Sequence, residues 1–183
     1  APLFRERCEG DPETTSFSIV DPQGNAIACT PTLGGGFGTG VVVGRSGLLF
    51  NNGMRLGSTS PYPDDVNYVR AGQVPLLNNS PIIVLKDGKL VLAIGTPGGE
   101  GIGQTQLQAL VNVLDFGLPI QEAIEAPRFV LDADPNFYKA GASVTIAVER
   151  RVPADTRAAL EGMGHTLPAL PHFSGAVGGV RVS

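Results

Sequence analysis

Two adjacent threonines, Thr14 and Thr15, stand in "GDPETTSFSIV", between thirteen residues without periodic pattern and an alternating apolar stretch. A threonine hydroxyl is a weak nucleophile until a base stands beside it. When threonine is the first residue of a chain its own α-amine can be that base, with a pKa of about 7.7–8.0 that suits neutral pH. The chemistry then requires cleavage between Glu13 and Thr14. Residue type alone leaves two readings open: a nucleophile awaiting release, or two β-branched residues that start a strand.

Other side chains narrow the chemistry. "GTPGGEGIG" follows an apolar run and opens a helical pattern, the right context for a phosphate loop. It lacks the Gly-Lys-Ser/Thr ending, it does not fit G-x-G-x-x-G, and "GGGFGTG" fails in the same way. Gly98 and Gly99 can instead expose backbone N–H groups as an oxyanion hole, or form a plain strand-to-helix turn. No G-x-S-x-G elbow surrounds any serine, and His165, just past a helical segment, reads as a C-terminal dipole partner. His172 lies close to prolines, and no carboxylate pair stands out. Cys8 and Cys29 are too few for a metal site and admit one disulfide. No cofactor and no metal is implied.

These groups need a scaffold. The chain has 183 residues, 42% apolar and 16% charged, which suits one packed domain rather than disorder. Its net charge of −4, with scattered Lys and Arg, argues against a nucleic-acid partner. No stretch reaches the ~20 apolar residues of a membrane span, and cytoplasm, periplasm or secretion all stay open. The 25 glycines and 15 prolines punctuate strands.

"FSIV", "DPQGN" and "AIACT" read as a hairpin, "LGGGFGTG" as a glycine loop, and "VVV" with "GLLF" as a strand pair. Residues 51–80 form a long polar loop. "PIIVLKDGKLVLAIG" is a hairpin whose strands are both expected to be buried on both faces. A helix follows with Leu107, Leu110, Val111 and Leu114 as its apolar stripe, then a second from Pro119 to before Pro127. Strands at 129–134 and 144–149, a helix at 153–163 and a strand through "GGVRV" complete the order. Hairpins and clustered helices predict an α+β fold with antiparallel sheets covered by helices.

Taken together, "TTSFSIVDPQGNAIACTPTL", "FGTGVVV", "GLLFNNGM", "SPIIVLKDGKLVLAIGTPGG", "VNVLDFGLPIQEAIEAPRF" and "GMGH" resemble the small subunit of the γ-glutamyltranspeptidase family. The resemblance implies an N-terminal nucleophile hydrolase, a four-layer αββα sandwich made as a precursor that cuts itself before the nucleophilic threonine. Residues 1–13 would then be the C-terminal tail of the larger subunit or propeptide, and residues 14–183 the small-subunit catalytic domain. By the same resemblance Thr14 is nucleophile and base, Thr32 orients its hydroxyl, and the Gly98 and Gly99 N–H groups form the oxyanion hole. The larger subunit supplies an arginine and much of the pocket.

Departures from the family concern substrate recognition. The family usually carries an asparagine where this chain has Gly34. Its segment that grips the substrate amino group appears here as "NNGMRLGS", with Gly53 and Leu56 for polar and acidic residues and Arg55 bringing a positive charge. Its paired serines correspond to Leu77 and Asn78. A cationic amine beside Arg55 would be unpaired and costly to desolvate. The expected substrate is a small amide bearing a carboxylate but no amine, bound by Arg55 with Asn51, Asn52, Asn78 and Asn79. Two alternatives remain: a true γ-glutamyl enzyme, or an unprocessed, non-catalytic member used for binding.

Overall fold

The computed structural model describes residues 12–53, 59–65, 67–75, 77–134, 141–170 and 177–182. Cys8, Arg55, Leu56 and His172 lie outside them. Among the described residues, ten strands and three helices run in the order β1 (Pro12–Thr14), β2 (Phe17–Val20), β3 (Ala26–Cys29), β4 (Thr32–Gly35), β5 (Ile82–Lys86), β6 (Lys89–Gly95), α1 (Gly101–Leu114), α2 (Ile120–Glu125), β7 (Phe129–Asp134), β8 (Ser143–Glu149), α3 (Ala154–Gly162), β9 (Ala169–Leu170) and β10 (Gly178–Arg181).

The centre is the sheet β10-β6-β5, antiparallel throughout. On one face of β6, Leu92 and Ile94 meet Ala109 and Val113 of α1, Ala123 of α2 and Val177. Leu92 and Ile94 are fully buried, each worth about 1.5–3 kcal/mol of transfer free energy. Gly179 lies opposite Ile94 across the sheet, where a β-carbon would come 2.9 Å from Ile120 Cδ1. Side chains alternate along a strand, so Gly95 turns to the other face, where it meets Ser16 and Thr30 at the open end of the β2–β3 hairpin, away from its turn. Helices, sheet and hairpin are therefore successive layers.

A second sheet, β7-β8-β9, is antiparallel between β7 and β8 and parallel between β8 and β9. Helix α1 closes the free edge of β7 with glutamine side chains. Gln104 Oε1 accepts the Leu131 N–H at 2.7 Å and its Nε2 donates to Leu131 O at 3.2 Å. Gln108 does the same for Phe129, at 3.1 and 2.9 Å. Four residues of helix rise about 6 Å and two of strand about 6.8 Å, so an i,i+4 pair matches an i,i+2 pair. At the end of β8, buried Glu149 pairs with Arg128 at 3.8 Å and with Arg151. Burial lowers the Arg128 pKa against the opposing pull of Glu149.

Four expectations change. The apolar stripe of α1 is not Leu107 and Leu114, which are 62% and 49% exposed, but Ile102, Ala109 and Val113 with Thr105 and Gln106. Of the two hairpin strands only β6 is buried; β5 is an edge strand with Ile83 and Leu85 open. "VVV" and "GLLF" form a ribbon with a single bridge, Val42 to Leu49. The glycine loop begins as strand β4, because β1 pairs with it.

Candidate active site

Strand β1 brings Thr14 against β4, with Pro12 opposite Gly35 and Thr14 opposite Thr32. The pairing is irregular between these two points, where one residue of β1 faces two of β4. There the Thr14 hydroxyl donates to Thr32 Oγ1 at 2.9 Å. The Gly34 N–H donates to the same Thr32 oxygen at 2.9 Å. Gly34 is buried at φ +91°, a backbone that L side chains rarely adopt. Two donors on one hydroxyl oxygen hold it as an acceptor facing Thr14. The Glu13–Thr14 bond lies within strand β1 itself.

Gly98 and Gly99 end the loop between β6 and α1, at φ +136° and +55°. Their carbonyls accept the Gly101 and Ile102 N–H groups at 3.0 and 3.2 Å and so start the helix. Among the described residues neither glycine N–H has an acceptor. The loop leaves β6 at Gly95, whose nearest neighbour is Ser16, two residues after Thr14. One contact thus anchors both the threonine and the glycine turn. Ser16 in turn reaches Cys29 O at 3.3 Å and Thr30 Oγ1 at 3.4 Å. Ser16, Thr30 and Gly95 escape sequence reasoning; the available signal is a glycine closing a buried strand just before "TPGG".

The asparagines expected to bind substrate divide. Asn52, 7% exposed, accepts the Gly35 N–H at 2.7 Å and donates to Gly38 O at 3.0 Å. Asn79 donates to Thr30 O at 2.9 Å. Asn51 donates to Thr32 O at 2.9 Å and accepts the Gly53 N–H. Asn78 is half-buried, with no hydrogen bond among the described residues. Arg55 falls outside the described residues. No cluster of His, Cys, Asp or Glu among the described residues would hold a metal, and no helix there is long and apolar enough to cross a membrane.

A family model described as gamma-glutamyltranspeptidase matches residues 4–183. The chain belongs to the gamma-glutamyltranspeptidase family. It is 40% identical over 178 residues to a glutathione hydrolase proenzyme of Escherichia coli, covering 93% of this chain and 29% of that protein. It is 29% identical over 168 residues to an acylase ACY 1 proenzyme of a Pseudomonas species, covering 92% and 28%. The chain thus spans about three tenths of the length of the curated relatives it matches.

Among solved structures, a mutant of Helicobacter pylori gamma-glutamyltranspeptidase superposes with a TM-score of 0.75 at 32% identity, covering 92% of this chain and 91% of that one. The enzyme of Pseudomonas nitroreducens complexed with L-DON gives 0.72 at 35%, covering 92% and 89%. The fold of this gamma-glutamyltranspeptidase relative is α+β, as its own sequence pattern predicts, and of the N-terminal nucleophile hydrolase type, as the resemblance implies.

Proposed function

We propose that this chain carries the catalytic half of a self-processing N-terminal threonine amidohydrolase or acyltransferase. Residues 1–13 belong to the larger subunit and residues 14–183 form the small one. The observation that carries this reading is the 2.9 Å hydrogen bond from the Thr14 hydroxyl to Thr32 Oγ1. In the uncut chain the Thr14 nitrogen is an amide and cannot act as a base. Cleavage after Glu13 converts it to an amine on the carbon next to the one bearing the hydroxyl.

The freed Thr14 Oγ1 then attacks the substrate amide carbon while the α-amine takes its proton. The Gly98 and Gly99 N–H groups receive the negative charge on the carbonyl oxygen. The amine returns the proton to the departing nitrogen, the C–N bond breaks, and an ester on Thr14 remains. Water or an acceptor amine attacks that ester with the same base, and the proton goes back to Thr14. Thr32 keeps the hydroxyl in line throughout.

The larger subunit is the expected partner. Phe17, Ile19 and Ile27 lie exposed on the outer face of the β2–β3 hairpin, and Phe37, Leu48 and Phe50 along the ribbon. Large apolar side chains left open in this number support a covering partner.

For substrate, the sequence favours a small carboxylate-bearing amide other than a γ-glutamyl compound. Gly34 and Gly53 carry no side chain, and Arg55 is cationic. A γ-glutamyl hydrolase or transferase is the second reading, favoured by the 40% identity to a protein named glutathione hydrolase. The deciding experiment uses the complete processed protein against γ-glutamyl, glutaryl and short dicarboxylic amides. Preference for the amine-free acyl groups supports the first reading and strong γ-glutamyl transfer the second. Intact mass showing no species that begins at Thr14 would overturn both and leave an unprocessed binding protein.

A further inference from the structure

Residues 30–35 are held along their length by three asparagine side chains. Asn79 donates to Thr30 O, Asn51 to Thr32 O, and Asn52 ties the Gly35 N–H to Gly38 O, all within 2.7–3.0 Å. Asn51 and Asn52 end the ribbon, while Asn79 belongs to the segment that leads into β5. Two separate stretches of chain therefore converge on one short strand. The backbone adds to this, since the Asn52 N–H donates to Leu33 O at 2.9 Å.

Resting on the reading of Thr14 as nucleophile, we propose that Asn51, Asn52 and Asn79 are positioning residues that fix Thr32 beneath the Thr14 hydroxyl. Their side-chain nitrogens already donate to main-chain carbonyls, and a substrate carboxylate would have to compete with those bonds. The need for such a clamp follows from the processing itself. Before cleavage β4 is paired with one continuous strand, Pro12 opposite Gly35 and Thr14 opposite Thr32. After cleavage Pro12 is no longer joined to Thr14, so that strand no longer sets the register of Thr14 on Thr32. The asparagine bonds come from residues that stay in the same chain as Thr32, and they survive the cut.

The test uses the full-length precursor, with Asn51→Asp, Asn79→Asp and Asn52→Asp. Each change keeps size and replaces an N–H donor with an oxygen that repels the facing carbonyl. Expected is a fall in kcat of about tenfold or more for each, with KM moved by no more than about twofold. Asn51 is exposed, so Asn51→Asp keeps the test standing if buried Asn52→Asp does not fold. Raised KM with kcat intact would make these residues substrate contacts and overturn the proposal, as would unchanged kinetics in both Asn51→Asp and Asn79→Asp. Thr14→Ala runs in parallel. Turnover by Thr14→Ala sinks the nucleophile reading itself; an inactive Thr14→Ala beside fully active asparagine variants sinks the clamp alone.

Discussion

A β-carbon placed on Gly95 would lie 2.2 Å from Ser16 Oγ. The last residue of the central strand and the second residue after Thr14 are in contact that no other side chain at 95 permits. Gly95→Ala must push Ser16 off Cys29 O and Thr30 Oγ1, and overpacking of this kind costs about 1–3 kcal/mol. The expected result is a lower denaturation midpoint together with slower appearance of the species that starts at Thr14, followed by intact mass. Adding Ser16→Ala removes the clashing oxygen and should recover part of the stability. A stable, normally processed Gly95→Ala protein would show that this contact does not align the site.

Thr32 is tested by a pair of substitutions. Thr32→Val keeps the shape but removes the acceptor for both the Thr14 hydroxyl and the Gly34 N–H. Loss of one oriented hydrogen bond plus one unpaired N–H predicts a drop in kcat of about 10–100-fold. Thr32→Ser retains the oxygen and should keep most of the rate. Equal activity in the two variants, measured on the processed protein, would remove Thr32 from the mechanism.

Substituting alanine at Gly98 or Gly99 strains a backbone at φ +136° or +55° and misaims the N–H groups. If these groups hold the oxyanion, kcat falls by about 10²–10³ while KM changes far less. A loss confined to thermal stability would return the pair to a plain turn.

The glutamine ladder yields a stability prediction remote from the chemistry. Gln104→Leu leaves the Leu131 N–H and C=O without the partners they have at 2.7 and 3.2 Å. About 1–3 kcal/mol of unfolding free energy should go with it, and the Leu131 amide should exchange faster. Gln108→Leu should do the same at Phe129. Unaltered exchange at both amides would mean that the edge of β7 is protected by something else.

At the β2–β3 turn, the Asn25 side-chain amide holds the Asp21 carboxyl below the ordinary aspartate range, helped by the Asn25 backbone N–H. A depressed folded pKa means stability that is present above the unfolded value of about 3.9 and lost as pH falls through the lower folded one. The turn should therefore stay closed at neutral pH and loosen only in acid, seen as lower protection of the Gln23 and Asn25 amides relative to their intrinsic exchange rates. Asp21→Asn should abolish that acid dependence; a turn equally loose at neutral pH would contradict it.

Local chemistry was readable along the chain. "DPQGN" and "KDG" announce their hairpins, because turn residues act over four or five positions. The element order of an α+β fold followed from such signals, while residue type offered Thr14, Gly98 and Gly99 only as candidates, which the family resemblance then selected. The face of α1 was misread for a physical reason. Periodicity locates an apolar stripe but does not say which side meets the sheet, and in this chain Leu107 and Leu114 remain open while Thr105 and Gln106 are covered. The partners of the asparagines were not legible in the sequence because an amide serves a carboxylate and a carbonyl equally well; only the fold shows that Asn79 faces Thr30 O, 49 residues away.

By itself, then, the sequence determined the hairpins, the helices and the presence of a threonine able to become an N-terminal nucleophile. These depend on neighbours within a few bonds. Tertiary structure decided that Thr14 meets Thr32, that Gly95 admits Ser16, and that three asparagines close on the strand between them. Those contacts join residues 14 to 79 positions apart, and only the folded chain brings such distant positions together.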